Sequence, residues 1–220
     1  MSGSILRSPY VGGAHYGFSY RASERGPQFA AWIGTGKRVL DLGCRDGSLT
    51  RYYVEGNIVV GVDIDQQALS LAHEWLGIAT LWLDLNRSSL PFGDGSFDVV
   101  VAGEVLEHLI DPAFVVGEAH RVLVSGGMLI GSVPNSFHWR ARLAFLAGYS
   151  IEDLAHLHLF SRDKLLRLLA GFERVEIIPV GGIGGRLMPV FPARFSRPLV
   201  CSLPTLFAND FLFRAFKPSN

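Results

Sequence analysis

Cysteine is scarce in this chain: its 220 residues include two, Cys44 and Cys201. Two thiols so far apart supply neither a metal-ligand spacing nor a disulfide scaffold, which points to a reducing compartment. An excess of charge of one sign is also lacking. Lys+Arg and Asp+Glu number 20 each and the isoelectric point is near 7.1, so no basic face argues for a nucleic-acid partner. No run reaches the roughly 18 uninterrupted apolar residues of a membrane span. The opening residues, MSGSILRSPYVGGAHYG, have no charged start followed by an apolar stretch, as a signal peptide would. The expectation is a cytoplasmic protein with no membrane span. What is present is ordinary globular composition, 49% hydrophobic and 18% charged, at a length that buries one sizeable core.

Residues 1–15 are rich in Gly and Ser and read as a flexible N-terminus; residues 16–220 read as one domain. Tyr16 to Ile33 fits a helix broken near Gly26-Pro27. Short apolar runs then alternate with amphipathic segments. Strands are expected at Arg38–Leu42, Ile58–Val62, Ala79–Leu83, Phe97–Ala102 and Met128–Val133. Helices are expected at Ser48–Val54, Gln66–Trp75 and Ala113–Val124, the last started by Asp111-Pro112. Buried strands separated by helices indicate an α/β doubly wound, Rossmann-like sheet, whose ligands bind at the carboxyl ends of the strands. Further on, Ser161 caps a helix to Ala170, and Phe172–Ile178 and Phe211–Phe216 read as strands. The Gly-, Pro- and aromatic-rich stretch 181–210 is long for a loop and suggests a lid or a substrate wall.

The segment Asp41-Leu42-Gly43-Cys44-Arg45-Asp46-Gly47 ends the first strand with an acid and glycines. Gly43 permits a sharp turn and close backbone approach to a ligand, and Gly47 lets the chain move off close to the sheet. The spacing is not the G-x-G-x-x-G of a nicotinamide site. The segment resembles the first motif of class I S-adenosylmethionine-dependent methyltransferases of type 11 or type 23. That resemblance implies a seven-stranded sheet with an antiparallel last strand, and Asp41 orienting the amino-acid portion of the cofactor. Arg45 stands where the family usually has glycine. Either its side chain turns outward or toward the cofactor's carboxylate, or it blocks the loop.

The rest of the pattern favours a working loop. Asp63 lies 22 residues after Asp41 at the end of the second strand, where an acid accepts the ribose hydroxyls of a nucleotide cofactor; Asp65 suits a helix cap. By resemblance Asp84 accepts the adenine amino group, Leu85 offers its backbone N–H to the ring, and Ile64 gives an apolar face. Asp84 as a turn residue is the plainer alternative. Leu90-Pro91-Phe92 and Gly95-Ser96-Phe97-Asp98-Val99-Val100 resemble the run before the fourth strand in the same superfamily.

Glu104, Glu107 and His108 follow an E-x-x-E-H spacing, which a helix would place on one face. They are the catalytic candidates, with His108 as general base for an acceptor hydroxyl or amine. Small-RNA 2′-O-methyltransferases resemble this run and use it for metal, and ubiquinone-biosynthesis O-methyltransferases carry a similar one. His156 and His158 would complete such a set. Pocket lining or base chemistry is favoured over a divalent metal, so no metal ligand is assigned. Asn135, His138, Trp139 and Arg140 follow the fifth strand. Together with His158 they are candidate substrate contacts, each with an equal alternative as a packing or surface residue. This stretch resembles methionine-biosynthesis W-type proteins and methyltransferases of glycan-assembly clusters. The resemblance implies methyl transfer from S-adenosylmethionine to a small-molecule hydroxyl, with a sugar or glycan intermediate first. N-methylation, a quinone-type acceptor and a non-catalytic protein partner are the alternatives, and a protein partner or homodimer remains open.

Overall fold

The computed structural model describes residues 16–150, 156–181 and 200–219. The expected flexible stretch 1–15 and most of the expected lid, 182–199, lie outside them. The described residues build one seven-stranded sheet in the order β3-β2-β1-β4-β5-β7-β6. Its strands are β1 (Arg38–Leu42), β2 (Ile58–Asp63), β3 (Ala79–Trp82), β4 (Phe97–Gly103), β5 (Leu123–Pro134), β6 (Glu173–Val180) and β7 (Asp210–Phe216). The first five run parallel, and β7 inserts antiparallel between β5 and β6. This is the doubly wound architecture expected from the sequence.

The central strands are apolar on both faces because both are covered. Val39, Leu40, Val99, Val100 and Val101 are all buried. Leu40, Val100 and Leu129 join one core with Phe160, Phe211 and Phe213. Val39, Val99 and Ile130 join the other with Phe29 and Ile33. Each fully buried phenylalanine contributes about 2–3 kcal/mol through lost apolar exposure. Gly131 sits mid-strand because a Cβ there would lie 2.3 Å from the Ala102 carbonyl oxygen and 2.6 Å from the Phe213 ring.

The helices begin where their caps place them. Asp65 accepts from the N–H groups of Gln67 and Ala68 to start α2 (Gln66–Leu76). Asp111 does the same for α3 (Pro112–Val122), with Pro112 in its first turn. His138 Nδ1 accepts from Ala141 N at 3.4 Å to start α4 (Trp139–Leu146), and Ser161 caps α5 (Arg162–Leu168).

Two expectations need correction. The first helix, α1 (Ala22–Ile33), is unbroken at Gly26-Pro27. Proline forfeits one helical hydrogen bond, but Gly26 lets the Tyr52 ring pack where a Cβ would be 2.3 Å away. Ser48–Val54 forms only a short 3-10 turn at Thr50–Tyr52, because Thr50 and Tyr53 turn their hydroxyls into the protein. The described end of the stretch 181–210 packs as part of the domain: Val200 and Ala208 are buried, and Asn209 N donates to the Val180 carbonyl at 2.9 Å.

Candidate active site

The carboxyl ends of β1, β2 and β4 gather the motif residues. Gly43, Arg45 and Gly47 all have positive φ, at 70°, 52° and 78°, so the loop after β1 winds through the left-handed region at alternate residues. At Gly47 a Cβ would meet Leu76 at 2.4 Å, and at Gly43 it would meet Val105 at 2.8 Å. Glycine at both positions is therefore steric as well as conformational. Arg45 takes the same region at a cost of about 1–2 kcal/mol.

Partners hold Arg45 there. Its N–H donates to Asp63 Oδ2 at 2.9 Å. Its guanidinium lies 5.6 Å from the centre of the Tyr16 ring, with one N–H toward the Phe18 carbonyl at 3.4 Å. Tyr16 donates to Asp65 Oδ2 at 2.9 Å, and Gly17 N donates to Asp46 Oδ2. Residues 16–18 are thus fastened over the glycine loop, and Arg45 points into them.

The other expected cofactor residues fall into two groups. Asp63 ends β2 with each carboxylate oxygen taking one backbone N–H, from Arg45 and from Asp65. A carboxylate oxygen accepts two hydrogen bonds, so capacity for hydroxyl donors remains. Burial raises the acid above its usual range. Ile64 beside it is 39% exposed, which leaves an apolar face. Asp41 is instead turned inward: it is buried, and Oδ2 accepts from Thr50 Oγ1 at 2.6 Å and Tyr53 OH at 2.7 Å. Burial outweighs those hydrogen bonds and lifts it to about 6. Asp84 makes a turn, accepting from Asn86 N at 3.0 Å and pairing with Arg87 at 3.3 Å, and Leu85 is buried.

Beyond β4 the chain does not form the helix that would put Glu104, Glu107 and His108 on one face. Glu104 is left-handed (φ 59°) and only Leu106–His108 make a 3-10 turn. Glu104 Oε1 is buried without a hydrogen bond, 3.8 Å from the guanidinium of Arg25. Glu107 is wholly buried, and burial, then the charge of Glu104, pushes it well above the carboxylate range. His108 Nε2 stands 3.9 Å from Glu107 Oε1, and the His108 and His156 rings are 5.0 Å apart.

Of the expected substrate contacts, Asn135 is a tether. It is buried, its amide donates to the carbonyls of Ala208 and Thr205, and its Oδ1 accepts from Phe137 N. His138 is the α4 cap, and Arg140 stacks on Trp139 at 5.2 Å. His158 lies 3.3 Å from the Ile110 carbonyl and 3.4 Å from Lys164 Nζ.

Sequence reasoning missed three charged residues. Arg25 is 1% exposed and donates to Ser132 Oγ, Ser19 Oγ and the Tyr20 carbonyl. Arg21 donates to Asp210 Oδ2 at 3.1 Å. Burial, then the charge of Glu104, raises Asp210 to about 7. An arginine on an amphipathic helix normally faces water, so no local signal marks Arg25 as buried.

The acids are the side chains that fit a cationic cofactor. Glu104 presents a buried oxygen that makes no hydrogen bond, and Asp63 keeps acceptor capacity beside an exposed apolar face. The order of the sheet, its antiparallel β7 and this loop define a class I methyltransferase fold, whose methyl donor is S-adenosylmethionine. Residues 40–131 match the family described as a methyltransferase domain. It is 33% identical over 149 residues to the ubiquinone biosynthesis O-methyltransferase of Ralstonia nicotianae, covering 63% of this chain and 61% of that protein. A Pseudomonas aeruginosa protein of the same name is 35% identical over 105 residues, covering 46% of this chain and 45% of its own length. The chain thus spans less than two thirds of these relatives. An S-adenosylmethionine-dependent methyltransferase structure from Archaeoglobus fulgidus superposes with a TM-score of 0.67 at 19% identity, covering 88% of this chain and 91% of that one, a likeness of fold alone. Among the described residues no helix is long and apolar enough to cross a membrane.

Proposed function

We propose that this protein transfers the methyl group of S-adenosylmethionine to a small-molecule hydroxyl, and that the acceptor is a quinone-type or phenolic compound. The observation that carries the transfer is the left-handed loop Gly43–Gly47 joined to Asp63 through the Arg45 N–H. The names of the relatives support oxygen as the acceptor atom and favour a quinone-type acceptor over the sugar expected from sequence.

Bound S-adenosylmethionine supplies a methyl group on a sulfonium, an electrophile that needs only an aligned nucleophile. With the cofactor bound, Asp63 would accept the ribose hydroxyls, Ile64 would lie against the adenine, and Glu104 would receive the cationic amino-acid end. Asp41 acts from behind, holding Thr50 and Tyr53 so that the loop keeps its shape. His108, with Glu107 beside it, handles the acceptor proton. In the transfer that the bound donor would supply, the hydroxyl oxygen would bond to the methyl carbon as the carbon–sulfur bond breaks and its electron pair goes to sulfur. Residues 16–18, fastened through Arg45 and Asp65, shield the cofactor from water.

Transfer of radiolabelled methyl from S-adenosylmethionine to a panel of phenols, quinols, sugars and amines tests the reading. Labelled phenol or quinol products are expected, and label on sugars or amines alone would overturn the acceptor assignment.

A further inference from the structure

A cavity of about 420 Å³ lies at the carboxyl end of β6, against the start of β7. Its floor is apolar: Phe211 is fully buried, and Ile177 and Pro179 of β6 stand beside it, partly buried. Its rim is polar, with exposed Arg162, Ser202 and Thr205. Among the described residues the lining carries one charge, that of Arg162, and no acid. The outer wall is held by the fold, because Val200 is buried in the core and Asn209 N donates to the Val180 carbonyl. A concave apolar floor with a few polar groups at its edge is the form of a small-molecule site.

The register ties this cavity to the methyl-transfer end of the sheet. Gly103, just before Glu104, pairs with Ser132, and Ser132 pairs with Leu212. Neighbouring strands lie about 4.8 Å apart, so β7 at that level stands about 10 Å from β4. Phe211 is the adjoining residue, turned to the face opposite Leu212. An acceptor with its hydroxyl at the end of β4 reaches the cavity with an arm of that length.

We propose that the cavity is the acceptor's distal subsite and takes an apolar arm ending in a carboxylate, which pairs with Arg162. The acceptor role rests on the methyl-transfer reading; carboxylate binding in the cavity does not. A planar guanidinium matches a carboxylate through two parallel hydrogen bonds, and the hydroxyls of Ser202 and Thr205 are further donors. A phosphate dianion would call for a second cation, which the described lining lacks. The acceptor is thus a phenol or quinol acid, since a neutral arm would leave the arginine unpaired.

Cys201 also lines the cavity and is exposed, whereas Cys44 is buried. Alkylation of Cys201 by N-ethylmaleimide, read by mass spectrometry, therefore reports occupancy. The probes are catechols bearing straight-chain acids from propanoic to octanoic, each beside its methyl ester. Saturable protection by at least one acid is expected, at a concentration about tenfold or more below that of its ester. Arg162→Gln should abolish that difference and Arg162→Lys should keep part of it. Arg162 is exposed, so neither variant disturbs the core. Protection by none of the acids, equal protection by acid and ester, or an unchanged preference in Arg162→Gln overturns the proposal. Radiolabelled methyl transfer to the same series separates the two readings. Methylation of acids and esters alike, without protection, leaves methyl transfer standing and removes the subsite. Protection without methylation removes the acceptor role and leaves the carboxylate site.

Discussion

Arg45 donates its backbone N–H to Asp63 Oδ2 at 2.9 Å, so the residue that departs from the family's glycine is bonded directly to the acid at the end of β2. Its side chain runs the other way, to Tyr16 and Phe18. The hydrogen bond needs only the backbone, and the guanidinium adds a fastening for residues 16–18. Arg45→Gly and Arg45→Ala both delete the fastening, but only alanine keeps the left-handed strain. After allowing for glycine's greater unfolded-state freedom, Arg45→Gly should be the more stable of the two by about 1 kcal/mol. Denaturant unfolding measures the difference, and equal midpoints would contradict this account of the loop.

Asp41 should make stability fall with rising pH. Its ordinary value of 3.8 is lifted to about 6 in the fold. Below about pH 4 the acid is neutral in both folded and unfolded chains, and its contribution is fully present. As pH rises through about 6 the buried carboxyl must ionise, and that contribution is lost. A carboxyl carried this far corresponds to about 2–3 kcal/mol. Asp41→Asn should therefore gain on the wild type by that amount between pH 4 and pH 7, whatever its offset at pH 4. Unfolding curves at several pH values test this; a gap that does not change with pH would count against it.

Asn135 should matter for stability rather than for acceptor choice. Its amide and carbonyl hold Ala208, Thr205 and Phe137, and removing them leaves buried backbone groups unsatisfied at about 1–3 kcal/mol. Asn135→Ala should lower the unfolding midpoint while affinity for S-adenosylhomocysteine stays within about twofold. Altered acceptor preference at unchanged stability would support the substrate role read from sequence instead.

Arg25 and Glu104 should behave as a coupled pair. Arg25→Met removes a buried guanidinium with its bonds to Ser132, Ser19 and the Tyr20 carbonyl and leaves the partly buried Glu104 without its counter-charge, at a cost of about 1–3 kcal/mol. Adding Glu104→Gln should recover part of that loss, making the double variant more stable than the two single losses sum to. Additive losses would show that the 3.8 Å approach carries no coupling.

The fold was legible because its signals are local. Val39-Leu40 and Val99-Val100-Val101 are too apolar for a half-exposed strand, and Asp65, Asp111 and Ser161 announce the helices they cap. The site was only partly legible. Asp63 stands at a strand end fixed by register, so its place in the sheet was readable from position alone. The inward turn of Asp41 depends on Thr50 and Tyr53, which a helical pattern concealed. The E-x-x-E-H spacing suggested one helical face, yet the backbone at Glu104 is left-handed and divides the set. Arg25 and Asp210 meet the site only through tertiary packing, from helix α1 and strand β7, and nothing near them in sequence indicates it.

On the proposed function, the loop of Gly43, Arg45 and Gly47 together with Asp63 holds S-adenosylmethionine. Calorimetric titration with S-adenosylhomocysteine, beside an Asp63→Ala variant whose folding is checked by its thermal transition, tests it most directly. Saturable binding by the wild type, weakened at least about tenfold in the variant by the loss of hydrogen bonds to a charged acceptor, is the predicted result. A folded wild type that does not bind, or a variant that binds equally well, would contradict the account.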